Sequence, residues 1–150
     1  MRHIMGLSTF FVLVLVGAGV SSAQGTAKGS ALVGAWKIVE TRNGPFTQPG
    51  VLVFTPRHYS LMVITSEGPR KQFADPAKVT PEEKAQAFDT LTAHSGTYQI
   101  VDGHIMFEVM IAKNPNRAQR GDLGSFKIEG QTLTISNEQT KAFVKYTRLE

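Results

Sequence analysis

The chain contains no cysteine. That excludes disulfides, thiolate nucleophiles and cysteine-ligated metals, and none is needed, because a domain of roughly 130 residues buries about two-thirds of the surface its unfolded chain exposes. Charge is sparse, at 19% of residues with a formal net charge of +4. Basic residues gather only at Arg70-Lys71 and between Arg117 and Arg120, with no aromatic residues interleaved, so the footprint of a nucleic-acid binder is missing. Histidine is also scarce. His58, His94 and His104 are too widely spaced to serve as ligands on one short element, and there is no His-x-His or Glu-x-x-His pair, so no metal site is expected. No cofactor motif is present, and none is expected.

Long apolar runs are missing too. The richest, Phe10 to Val16, falls short of the roughly 20 residues a bilayer-spanning helix requires, so no integral membrane span is expected. Arg2 and His3 precede this run, and Ser21-Ser22-Ala23 follows it with small residues where a signal peptidase reads. Residues 1–23 are therefore expected to be a secretory signal peptide, with Gln24 standing where a lipidated cysteine would stand. The product is expected to be exported, either periplasmic or secreted. A flexible Gly/Ser/Lys segment is expected at 24–30 and a single domain at 31–150.

What the domain does contain is a 41% hydrophobic fraction distributed in short runs between turn signals. Strands are predicted at 34–41, 50–55, 58–65, 96–101, 104–112, 124–129, 132–136 and 142–149. Asp102-Gly103 and Glu129-Gly130 separate alternating runs and predict hairpins. One stretch differs. Thr80-Pro81-Glu82-Glu83 carries a capping box with proline at the first helical position, and Ala85, Phe88 and Leu91 recur on one face. This predicts an amphipathic helix over 81–93 lying on an apolar surface. The charged, proline-containing stretch 67–79 before it is long enough to be a lid.

Side-chain alternation assigns faces. Trp36, Ile38, Tyr98, Ile100, Ile105, Phe107, Val109, Ile111, Phe126, Ile128, Leu133, Ile135, Val144 and Tyr146 form one apolar set; Lys37, Gln99, Glu108, Lys127, Thr134 and Lys145 alternate with them as a solvated set. Eight antiparallel strands with one apolar side leave unpaired edges unless the sheet closes. The expected fold is therefore an all-β, eight-stranded up-and-down antiparallel β-barrel with one short α-helix; a two-sheet sandwich is the alternative.

Gly34-Ala35-Trp36 opens the first strand and Tyr146-Thr147-Arg148 closes the last. Further matching stretches are Leu32-Val33 before that opening, Pro49-Gly50-Val51-Leu52-Val53-Phe54-Thr55-Pro56, Tyr59-Ser60-Leu61-Met62, Ser95-Gly96-Thr97-Tyr98, Asn114-Pro115-Asn116 and Leu133-Thr134-Ile135-Ser136. In this order they resemble the bacterial lipocalin-like domain family, of the calycin type, over 31–149. Relatives tend to carry His and Arg on the central strands, where this chain has Met106-Phe107 and Gly124-Ser125. The resemblance implies that first and last strands are neighbours, with Arg148 over the Trp36 indole as a structural plug at the closed end.

An apolar barrel interior suits a small hydrophobic molecule. Phe54, Met62, Tyr98, Phe107, Val109, Phe126 and Tyr146 are the candidate wall, with two tyrosine hydroxyls to orient a guest. No catalytic set emerges: His104 and Glu108 share a strand face but stand ~13 Å apart at the strand rise, too far for a dyad. Two other readings stay open. One is an isomerase or cyclase that folds a bound substrate without covalent chemistry. The other is an inhibitor-type interaction module using the loops 69–76 or 114–120. The sequence leaves oligomeric state open.

Overall fold

The structure is a computed structural model and describes residues 29–117 and 119–150. The expected leader, and residues 24–28 of the segment expected to be flexible, lie outside the described residues; residues 29 and 30 of that segment belong to a helical turn over 29–32. Among the described residues no helix is long and apolar enough to cross a membrane.

The strands are β1 (Gly34–Thr41), a two-residue β2 (Gly44–Pro45), β3 (Gly50–Phe54), β4 (His58–Ile64), β5 (Leu91–Val101), β6 (His104–Ala112), β7 (Arg120–Glu129), β8 (Thr132–Asn137) and β9 (Ala142–Arg148). β2 only extends β1. The other strands run in chain order, each antiparallel to the next, and β1 pairs with β9, so the eight-stranded barrel closes without an edge. Closure rules out the sandwich. Asp102 and Gly103 both take positive φ, as a two-residue hairpin turn demands.

The buried set is the expected one, with Trp36, Ile38, Tyr98, Ile105, Phe107, Leu133, Ile135 and Tyr146 inside. Two expectations fail, for one geometric reason each. Ile111 is 70% exposed. In the β5–β6 ladder Gly96 pairs with Val109 but Ser95 with Ile111, so Met110 is an extra residue, and past this bulge every side chain changes face. Gly96 permits the bulge, because a Cβ there would run into the Glu108 carbonyl. Met62 is 51% exposed. Tyr59, Leu61 and Val63 occupy the inner face of β4, so Met62, paired with Val51, must point outward into an outer apolar groove with Ile64, Leu91 and Leu149.

The helix, α1 (Pro81–Asp89), starts where expected. Thr80 Oγ1 accepts from the Glu83 amide at 3.2 Å, and Glu83 Oε2 accepts from the Thr80 amide at 2.9 Å. Glu83 Oε1 also accepts from the Ala74 amide at 2.9 Å. These backbone donors, Ala74 first and then Thr80, hold the Glu83 carboxyl below its ordinary pKa. The helix ends four residues early. Thr90 caps it, and Leu91 already pairs with Ile64 in the sheet. Nor does it bury an apolar face: none of its residues is buried, and Phe88 is half exposed beneath the Lys113 ammonium, 4.1 Å from the ring centre.

Candidate functional site

The barrel has two unlike ends. The helical turn at 29–32, the β3–β4, β5–β6 and β7–β8 turns and the C-terminus gather at the base; the β4–β5 connection, the β6–β7 loop and the β8–β9 turn gather at the mouth. At the base, Trp36 is fully buried and its indole N–H donates to the Leu32 carbonyl at 2.8 Å. Arg148, its cross-strand partner, lies over the indole with the guanidinium carbon 4.0 Å from the ring centre. The same guanidinium donates to the Val33 and Ala31 carbonyls at 2.8 and 2.6 Å. The expected contact of Arg148 over Trp36 is seen, and both side chains hydrogen-bond to backbone carbonyls.

The mouth is different. A cavity of about 240 Å³ is lined by Leu52, Leu61, Leu123, Ile135, Val144, Phe143 and Ala142, with Tyr59, His94, Arg117, Asn137 and Tyr146 as its polar groups. His94 is 6% exposed, the one buried polar or charged residue among those described. β5 places it two steps before Gly96 and four before Tyr98, all on the inner face. Its Nδ1 lies 3.0 Å from the Tyr59 hydroxyl, a hydrogen bond whose donor depends on the ring tautomer. Burial, with the nearby Arg117 cation adding to it, drives the His94 pKa down to about 4. Burial raises Tyr59 against a smaller opposing pull from Arg117, and burial alone raises Tyr146. At neutral pH all three are uncharged.

Arg117 reaches this site from a loop. The Asn114 side chain accepts from the Asn116 amide at 2.9 Å and the Asn114 carbonyl from the Arg117 amide at 3.0 Å, so Asn-Pro-Asn-Arg forms a tight turn with proline at its second position. The guanidinium comes to rest 5.0 Å from the Phe107 ring centre. Its Nε is buried and has no hydrogen-bond partner. Among the described residues no carboxylate pairs with it, and no cluster there is placed to hold a metal.

Of the candidate wall, Tyr146 lines this cavity. Phe107 backs it, in edge contact with Tyr59 at 6.1 Å. Phe54 and Tyr98 instead fill the interior against each other at 4.9 Å, the Tyr98 hydroxyl donating to the Thr55 carbonyl at 2.9 Å. Val109 and Phe126 pack against the core without lining the cavity. Met62 is outside. No residue of the expected lid at 67–79 lines it either. Tyr59, His94 and Arg117 were not among the expected site residues. Continuing the β5 alternation back from Tyr98 through Gly96 reaches His94; no local signal reveals Arg117.

Comparison with known proteins agrees with this architecture. No curated protein and no solved structure matches the chain. The model of the lipocalin-like domain matches residues 33–144, which runs from the base plug to the mouth-side strand β9. By fold and by that match, the chain belongs to the lipocalin-like domain family.

Proposed function

We propose that this is an exported lipocalin-like protein that holds a small, mainly apolar molecule in the mouth-side cavity of its barrel, in the periplasm or outside the cell. The observation that carries the reading is the cavity itself. An enclosure of about 240 Å³ with apolar walls and a few convergent polar groups is the usual form of a small-ligand site, though below the ~300–1,000 Å³ common for larger ligands. At ~30 Å³ per water-sized group it has room for about eight of them. The leader sequence supports export.

Turnover of a bound substrate is the second reading, favoured by the Tyr59–His94 hydrogen bond at the cavity wall. It ranks lower because a general acid or base works best with a pKa near the working pH, and this histidine titrates at about 4.

Titration with neutral and charged eight-carbon compounds tests the binding reading. At least one is expected to bind, and Leu61→Trp, which fills the cavity from its wall, is expected to abolish that binding. A chain that binds none of them, or binding untouched by Leu61→Trp, contradicts it. Native mass spectrometry of protein from its own host then identifies a co-purifying ligand, and a mature N-terminus at Gln24 tests export.

A further inference from the structure

The cavity has an electrostatic sign. Among the described residues that line it, the one ionised group is Arg117, since His94, Tyr59 and Tyr146 are neutral at pH 7 and Asn137 uses its side-chain oxygen to accept from the Thr140 amide at 2.9 Å. A guanidinium is never deprotonated in a protein. Buried donors are almost always paired, and the Arg117 Nε–H has no partner among the described residues. Among the described residues the only other arginine stacked on a ring, Arg148, is paired twice over. Unlike that plug, Arg117 is held on a turn of the mouth-side β6–β7 loop and lines the cavity.

We propose that the guest is an amphipathic monocarboxylate: an apolar body of about eight carbons among Leu52, Leu61, Ile135 and Val144, and a carboxylate at the mouth accepting from the Arg117 guanidinium. The planar fork of arginine matches the two oxygens of a carboxylate, and hydrogen bonds between ionised groups are about twice as strong as neutral ones. One cation answers one negative charge, which favours a carboxylate over a phosphate dianion. The neutral Tyr59–His94 pair behind it adds polarity without a second charge. This inference rests on the barrel-binding reading and specifies the chemistry of its ligand.

Calorimetric titration of the chain with octanoate, 1-octanol and octylammonium tests it, because each has eight carbons in all and they differ in the head. Octanoate is expected to bind at least tenfold more tightly than octanol, and octylammonium more weakly than either. Arg117→Met is expected to bring octanoate down to within about threefold of octanol measured on the same variant, and Arg117→Gln to do the same. Equal affinity for octanoate and octanol, preference for the ammonium, or a carboxylate preference that survives both substitutions overturns the inference and leaves barrel binding standing. Failure of all three compounds to bind overturns both.

Discussion

Two arginines of this barrel lie over aromatic rings, one at each end, and they are solved differently. At the base, Arg148 stacks on Trp36 and donates to the carbonyls of Ala31, in the helical turn, and Val33, just after it; at the mouth, Arg117 stacks on Phe107 and has a buried Nε–H with no partner among the described residues. The same residue pair of cation and ring thus serves two purposes. Where the guanidinium is tied to the chain's own carbonyls, the arrangement is structural. Where a donor is left unmet beside a cavity, it is available to something that is not part of the chain.

That difference can be broken by substitution. The largest effect is expected at the base: Trp36→Ala removes a fully buried indole and should destabilise the fold by about 3–5 kcal/mol in thermal or denaturant unfolding. Arg148→Ala comes next, at about 1–3 kcal/mol, because it removes the stacked cation and orphans the Ala31 and Val33 carbonyls. A loss from Arg148→Ala equal to or above that from Trp36→Ala contradicts the view that the plug works chiefly through packing.

At the mouth, the histidine adds a pH-dependent term. The unfolded chain takes up a proton on His94 near pH 6.5, while the folded chain does so only near 4. Stability from the neutral imidazole is therefore complete above pH 6.5 and lost as the pH falls from there toward 4, by an amount on the order of 1 kcal/mol after allowance for solvent screening. Unfolding of wild type and His94→Gln at pH 7 and pH 4.5 measures it: the stability difference between them should shift against wild type at the lower pH, and a pH-independent difference contradicts the assignment. The smallest effect belongs to Arg117. Its replacement by Met should change stability by less than about 0.5 kcal/mol, or raise it, because an unsatisfied buried donor is removed with it.

The base was legible in the sequence and the mouth was not, for physical reasons. Trp36 and Arg148 sit on strands whose alternation is clean, and the capping box at Thr80 is a local pattern that needs no tertiary context. Alternation fails where a strand is apolar on both faces, as at Leu61-Met62, and where a bulge changes the count, as at Met110. His94 was hidden by a periodicity that ran on through Leu91: the apolar spacing of α1 continues past Asp89, but pairing of Leu91 with Ile64 in the sheet overrides it. Arg117 acts from a loop, and its partners Phe107, Tyr59 and His94 lie far away along the chain.

The central claim is that the mouth receives a guest while the base stays closed, and methyl-resolved NMR of the chain titrated with octanoate tests it most directly. Shifts are expected at Leu52, Leu61, Ile135 and Val144, with Leu32, Ile105 and Leu133 at the base unmoved. Shifts confined to the base, or to Val51, Ile64 and Leu149 on the outer groove, would contradict it.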